Sequence, residues 1–79
     1  MPKESNIVHR YFKKKFENAT ILVKVNPVQL SGVELRIIPN DKIERREIVF
    51  DESIWDDLKL DGFEEASALE FNLYYAGLA

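Results

Sequence analysis

The fold is decided by the stretch TILVKVNPVQLSGVELRI, which spans residues 20–37. Its first part, residues 20–25, consists mostly of β-branched residues and leucine, which predicts a strand that tolerates burial. Pro27 has no backbone N–H to donate to a ladder, so strand pairing should stop about there. A short loop over residues 29–32 follows, and residues 33–37 then alternate between apolar and charged side chains. That alternation predicts a second, half-buried strand.

The segment after these strands predicts a turn and a returning strand. Pro39, Asn40 and Asp41 form a strong turn signal, because proline fixes φ while the Asn and Asp side chains can bond their own backbone. Residues 43–50 form the third predicted strand, although no single phase of alternation fits all of them. We therefore expect either a β-bulge near residues 45–46 or a late start to regular pairing.

The segment before residue 20 predicts a helix. Val8, Phe12 and Phe16 recur every four residues, which is typical of the apolar stripe of an amphipathic helix over residues 5–18. Its lysines fall on the opposite face, toward the C-terminal end, where the helix dipole favours cations. A strand is the weaker alternative, because it would mix charged and apolar side chains on one face.

A second helix is predicted after the third strand. Residues 51–53, an Asp-Glu-Ser sequence, open it with the acidic residues that the helix dipole favours in a first turn. Ile54, Trp55 and Leu58 make a compact apolar patch at helical spacing. Residues 61–62, an Asp-Gly pair, end the helix after about two turns.

The last segment, residues 63–79, fits both a helix and a strand. An apolar stripe recurs at helical spacing, but the aromatic residues near the end also alternate with polar ones. We predict a short helical start followed by a strand over residues 68–75. The whole chain is then a single α+β domain over residues 1–79, with the order α-β-β-β-α-β. Its small antiparallel sheet of three to four strands packs against the helices.

The composition limits the classes of function. A chain of 79 residues buries only about 60% of its unfolded surface, which leaves little room for a catalytic cleft. The absence of cysteine excludes a disulfide scaffold, a zinc site with thiolate ligands and cysteine nucleophiles. No apolar run approaches the ~20 residues of a membrane span, and no secretory signal is recognisable. We therefore expect a cytoplasmic protein that does not enter membranes.

The net charge of −3 hides an uneven distribution. Residues 1–24 hold six basic and two acidic groups, whereas residues 51–79 hold one basic and eight acidic groups. Such asymmetry indicates either that the two ends attract each other within the domain or that they serve different partners. Mutual attraction is the simpler interpretation.

No pattern of residues predicts catalysis. His9 is the only histidine, and no serine lies in a Gly-x-Ser-x-Gly elbow. The three glycines lie too far apart for a phosphate-binding loop. We predict no enzyme activity, no metal and no cofactor. Only a pocket that joins His9 to a carboxylate or a serine would revive an enzyme, or an accessory subunit of one.

The leading hypothesis is a non-catalytic protein-interaction module. Trp55, Tyr74 and Tyr75 are the candidate partner contacts, because tryptophan and tyrosine are common in interface hot spots. The predicted strand over residues 68–75 would lie at a sheet edge and pair with a protein partner or with a second copy.

The alternative hypothesis is a weak nucleic-acid or polyphosphate binder that uses the N-terminal basic helix. Its aromatic residues coincide with the apolar stripe, so only the basic side chains remain for phosphate, and such a footprint is weak. The candidate anion contacts are Arg10, Lys13, Lys14, Lys15, Arg45 and Arg46.

Overall fold

A computed structural model describes residues 8–76 of the chain. Its architecture is α+β, with one five-stranded antiparallel sheet and two short helices. The strand order across the sheet is β4-β3-β2-β1-β5. No helix within the described residues is long and apolar enough to cross a bilayer. In chain order the elements are β1 (Arg10–Lys15), β2 (Thr20–Asn26), β3 (Ser31–Ile37), β4 (Ile43–Val49), α1 (Ile54–Leu60), β5 (Glu64–Glu65) and α2 (Ala68–Tyr75).

The predicted α+β class is confirmed, but the predicted order of elements is wrong. The strands expected over residues 20–25, 33–37 and 43–50 are present with small shifts of their ends, as is the helix after residues 51–53. The order is β-β-β-β-α-β-α, and the sheet has five strands instead of three or four.

The first correction concerns β1, where a helix over residues 5–18 was expected. Residues 5–7 lie outside the described part, and residues 10–15 form a strand antiparallel to β2. The side chain of Phe12 is buried in the core, whereas Arg10 and Lys14, which share its face of the strand, are not part of the core. The Arg10 guanidinium lies 5.1 Å from the ring centre of Trp55, and the Lys14 ammonium lies 4.9 Å from that of Phe16. Long cationic side chains can therefore share a face with Phe12 by lying over aromatic rings.

The second correction concerns the C-terminal segment. Residues 68–75 form α2 instead of a strand, and the expected helical start is the two-residue strand β5. The hydroxyl oxygen of Ser67 accepts a hydrogen bond from the Glu70 N–H at 3.0 Å. A serine followed three residues later by glutamate is the sequence signature of a capping box. The serine half of the motif is formed here, since the Ser67 side chain satisfies a free backbone donor of the first turn.

The third correction concerns β4, which has no bulge. Its pairing with β3 is continuous from Ile43 opposite Ile37 to Val49 opposite Ser31. Five of its seven residues are exposed, so no core imposes a phase on its side chains. The irregular pattern reflects exposure on both faces of the sheet. The predicted loop over residues 29–32 is shorter than expected, because β3 begins at Ser31.

The core lies on both faces of the sheet, around β2. The first face is the one that carries Phe12, and Ile54 and Leu58 of α1 pack on it; the opposite, second face carries Leu22 and is covered by Phe71 of α2. Because β2 contributes buried side chains to both faces, its sequence is an almost continuous apolar run. The first-face core consists of Phe12, Ile21, Val23, Val25, Ile54 and Leu58, and the second-face core of Leu22, Leu35 and Phe71.

Candidate interaction surface

The strand β4 lies at an open edge of the sheet. It pairs with β3 on one side, and no strand of the described chain pairs with its other side. The opposite edge is occupied by β5, which is only two residues long. An edge strand presents a row of N–H and C=O groups that can pair with another chain. The edge that sequence reasoning assigned to residues 68–75 therefore belongs to β4.

On the first face, the charges of β4 are paired within the chain. Arg46 Nη2 lies 3.0 Å from Glu34 Oε1, and Arg36 Nη1 lies 3.8 Å from Glu44 Oε1. Each pair joins residues that stand directly opposite each other on β3 and β4. These cross-strand pairs of opposite charge stabilise the β3–β4 hairpin modestly, because their arginine side chains are exposed.

On the second face, β4 carries side chains with few partners. The Arg45 guanidinium lies 5.0 Å from the ring centre of Tyr75, at the end of α2. Glu47 has no ion pair within residues 8–76. Val49 is 83% exposed, a large fraction for a β-branched apolar residue. We call Ile43, Arg45, Glu47 and Val49 of β4, together with Tyr75, the β4 surface.

Two open hollows border the β4 surface. One, with a volume of about 540 Å³, lies between β4 and the end of α2. It is lined by apolar and aromatic side chains with one guanidinium, namely Leu35, Ile43, Arg45, Tyr74, Tyr75 and Ala76. Space is therefore present beside the edge for side chains of an added strand.

The second hollow lies at the other end of β4 and contains His9. Its volume is about 500 Å³, and Lys24, Ser31 and Glu47 also line it. Burial, with a smaller contribution from the charge of Lys24, lowers the pKa of His9 below its ordinary value of 6.5. The imidazole is therefore mostly neutral at pH 7.

The hollow does not assemble a catalytic pair. Ser31 opens β3, so β2 lies between it and β1, the strand that follows His9. Glu47 lies on β4, so both β2 and β3 lie between it and β1. Within the described residues, His9 forms no hydrogen bond with Ser31 or Glu47. A general base needs its partner within about 2.6–3.2 Å, directly or through one water.

The three predicted partner contacts lie on different faces of the sheet. Trp55 is half-buried on the first face, with its ring centre 6.1 Å from that of Phe12. Tyr74 is half-buried against the second-face core. Tyr75 is 43% exposed and stacks on Phe71 at 5.6 Å between ring centres. Of the three, only Tyr75 contributes to the β4 surface.

The predicted anion contacts do not converge. The strand registers place Arg10, Lys14 and Arg46 on the first face, and Lys13, Lys15 and Arg45 on the second. The element that carries four of them is a strand, not the expected helix.

Most of these cations already have a partner within the chain. Arg10 pairs with Glu65 at 2.7 Å, and Lys13 pairs with Glu70 at 3.0 Å. The Lys14 ammonium donates a hydrogen bond to the backbone carbonyl of Asp61. The basic N-terminal segment therefore contacts the acidic C-terminal segment within the chain, which fits the mutual attraction expected from the uneven charge distribution. This arrangement does not favour the nucleic-acid alternative.

Sequence reasoning missed Ile43, Glu47 and Val49 as candidate partner contacts. The available signal was the row of four charged residues at 44–47 between apolar residues. Charged side chains on both faces are typical of an edge strand, which must avoid uncontrolled pairing.

No group of three or more histidine or acidic side chains in the described part of the chain is arranged to hold a metal ion. Comparison with protein family models, with curated proteins and with solved structures returns no match to this chain. The function is therefore argued from the geometry of the β4 surface.

Proposed function

We propose that this protein is a non-catalytic interaction module that adds a strand of a protein partner to the outer edge of β4. The observation that carries this proposal is the position of β4. Among residues 8–76 no strand pairs with the outer edge of this seven-residue strand, and five of its residues are exposed.

Strand addition matches the chemistry of this edge. The main chain of β4 supplies hydrogen bonds to any extended segment, while alternating side chains select among segments. On the second face, Arg45 and Glu47 offer opposite charges two residues apart, and Ile43 and Val49 offer apolar contacts at the ends. On this face, the preferred partner strand therefore carries two opposite charges at its centre and an apolar residue at each end.

Tyr75 extends the contact beyond the strand. Its ring is held against Phe71 and lies beside the guanidinium of Arg45. A partner strand on β4 passes close to Arg45, and the partly exposed tyrosine ring adds apolar area there with little loss of side-chain freedom. An edge strand and an aromatic side chain thus act together.

Photo-crosslinking at two equally exposed positions tests the proposal. A benzophenone amino acid is placed at Val49 on the β4 edge or at Leu60 on α1, which are both 83% exposed. The protein is irradiated in cells that express it. We expect discrete protein adducts from position 49 that are absent from position 60.

Two results would overturn the proposal. One is an absence of adducts from position 49, and the other is the same set of adducts from both positions. The yield of an authentic adduct from position 49 should also fall when the protein carries Arg45→Glu, because this substitution reverses a charge that selects the partner strand.

A further inference from the structure

We infer that the partner strand is β4 of a second copy of this chain, paired antiparallel about Arg46. This inference rests on the proposed function, since it names the occupant of the same edge.

A closed pair of identical edge strands has a two-fold axis perpendicular to the sheet. Such an axis continues the first face of one copy into the first face of the other. Residues that stand opposite each other must therefore come from the same face. Residues 43–48 read almost the same in both directions, but two copies cannot pair about the centre of this run. That register would set Arg45 of the second face opposite Arg46 of the first face.

Arg46 is the middle residue of β4, so a register centred on it pairs all seven residues of the strand. On the second face it places Arg45 opposite Glu47 of the other copy, and Ile43 opposite Val49. By the two-fold symmetry, each contact occurs twice. The register supplies an ion-pair partner to Glu47 and covers the exposed Val49 with an apolar side chain.

The first face accepts the same register. Arg46 stands opposite Arg46 of the second copy, but each guanidinium already lies 3.0 Å from Glu34 of its own chain. Glu44 of each copy is a diagonal neighbour of the opposite Arg46, within reach of its long side chain. The like charges at the centre are therefore surrounded by carboxylates.

The register centred on Arg45 is less favourable. It pairs only residues 43–47 of the two strands and sets Arg45 opposite Arg45. It makes Glu47 only a diagonal neighbour of the opposite Arg45, whereas the register about Arg46 places the two directly opposite. It also faces Glu44 with Arg46 of the other copy, but both of these side chains already have ion-pair partners in their own chain. It also leaves Val49 beyond the strand, opposite Asp41.

The predicted dimer joins two five-stranded sheets into one continuous sheet of ten strands. Both α2 helices lie on the same side of it, and each Tyr75 lies beside an Arg45 that contacts the other copy. Because the new ion pairs are at the surface, self-association should weaken as salt increases.

Charge reversal tests the register. In a dimer of Arg45→Glu, two glutamates stand opposite each other at both 45–47 contacts. In a dimer of Glu47→Arg, two arginines stand opposite each other at the same two contacts. We expect each to weaken self-association at least roughly tenfold in sedimentation analysis. A mixture of the two single variants restores both ion pairs, and so does the double variant. Recovery in the mixture is therefore the expected result.

Single cysteines test the same register without relying on affinity. The chain has no native cysteine. Residues directly opposite in an antiparallel pair have Cα atoms about 4.5–5.5 Å apart, which suits a disulfide, whereas diagonal residues lie about 7–8 Å apart. Arg46→Cys should therefore form a covalent dimer on mild oxidation, and Arg45→Cys should not. Should the loss of Arg46 unfold the hairpin, a mixture of Arg45→Cys and Glu47→Cys should form the mixed disulfide.

The outcomes separate this inference from the proposed function. A strict monomer whose position-49 adducts contain another protein overturns the second copy as partner and leaves strand addition in place. A monomer without adducts overturns both. A dimer that is indifferent to the charge reversals, or that crosslinks through residue 45 alone, overturns the register about Arg46.

Discussion

The ammonium of Lys13 lies 3.0 Å from the carboxylate of Glu70, and this ion pair joins the first strand to the last helix. Both side chains are about one-third exposed. At eight residues, α2 is too short to be stable alone in water, so it depends on contacts with the sheet. Glu70 provides one such contact through its carboxylate, which accepts a hydrogen bond from Lys13 of β1. Its backbone N–H is also capped locally, by the side chain of Ser67.

A double-mutant cycle should detect this pair. We expect Lys13→Gln, Glu70→Gln and the double variant to give a coupling free energy of about 0.5–1 kcal/mol, because partial burial reduces solvent screening. Urea unfolding followed by circular dichroism measures it. The matched control is Arg36 with Glu44, which are more exposed and 3.8 Å apart, and whose coupling should be smaller than that of Lys13 with Glu70. A control coupling as large as that of Lys13 with Glu70 would contradict the interpretation.

Phe71 should be the largest single contributor of α2 to stability. Its side chain is 0% exposed and packs against Leu22 and Leu35 on the second face. Phe71→Ala should lower the free energy of unfolding by about 3–5 kcal/mol, which approaches the whole stability of a small domain. Leu69→Ala is the control in the same helix, because Leu69 is 71% exposed. The urea midpoint of the Leu69→Ala protein should barely move. Equal losses of unfolding free energy in the two variants would show that α2 packs on the sheet through a different face.

The same helix shows how two local signals competed in the sequence. Aromatic residues at 71, 74 and 75 raise strand propensity, and they led to the wrong assignment of residues 68–75. The N-cap provided by the Ser67 side chain favours a helix, and it prevails because burial of Phe71 is available to a helix lying across the second face. Strand propensity is expressed only beside a neighbouring strand, and at this edge the C-terminal segment pairs with β1 through just the two residues of β5.

The site was harder to predict than the strands. Residues 20–25 and 33–37 form strands because their own composition and alternation require it. The exposed edge at β4 depends instead on topology, namely on β1 joining the sheet beside β2. The four-residue recurrence of Phe12 and Phe16 fits a strand as well as a helix, since every fourth residue lies on one side of both. Once residues 10–15 were assigned to a helix, the open edge was assigned to the wrong segment.

Gly32 should be required for the close pairing of β2 and β3. A Cβ at this position would clash with the carbonyl oxygen of Lys24 and would lie 3.0 Å from a ring carbon of Phe50. Because the first of these is backbone, Gly32→Ala must displace a strand, and we expect a loss of about 1–3 kcal/mol or more. Thermal unfolding measures it, with Ser31→Ala as the neighbouring control. A Gly32→Ala protein as stable as the control would contradict this account of the register.

His9 should make stability depend on pH between neutral and mildly acidic conditions. Its pKa is below 6.5 in the folded chain, because of partial burial first and the charge of Lys24 second, and returns to its ordinary value on unfolding. Between these two pKa values the unfolded chain binds more protons than the folded chain. Stability therefore decreases as the pH falls through 6.5 and levels off below the folded pKa.

Two measurements check this linkage. In an NMR titration, the imidazole signals should give a pKa below 6.5, and Lys24→Gln should raise it part of the way back, because burial remains. In urea unfolding at pH 7.5, 6.5 and 5.5, His9→Asn should remove the part of the pH dependence that the imidazole causes, while the contribution of the carboxylates persists in both proteins. A folded-state pKa equal to 6.5 would remove this pH dependence, and one above 6.5 would reverse its sign, since acidification would then stabilise the chain.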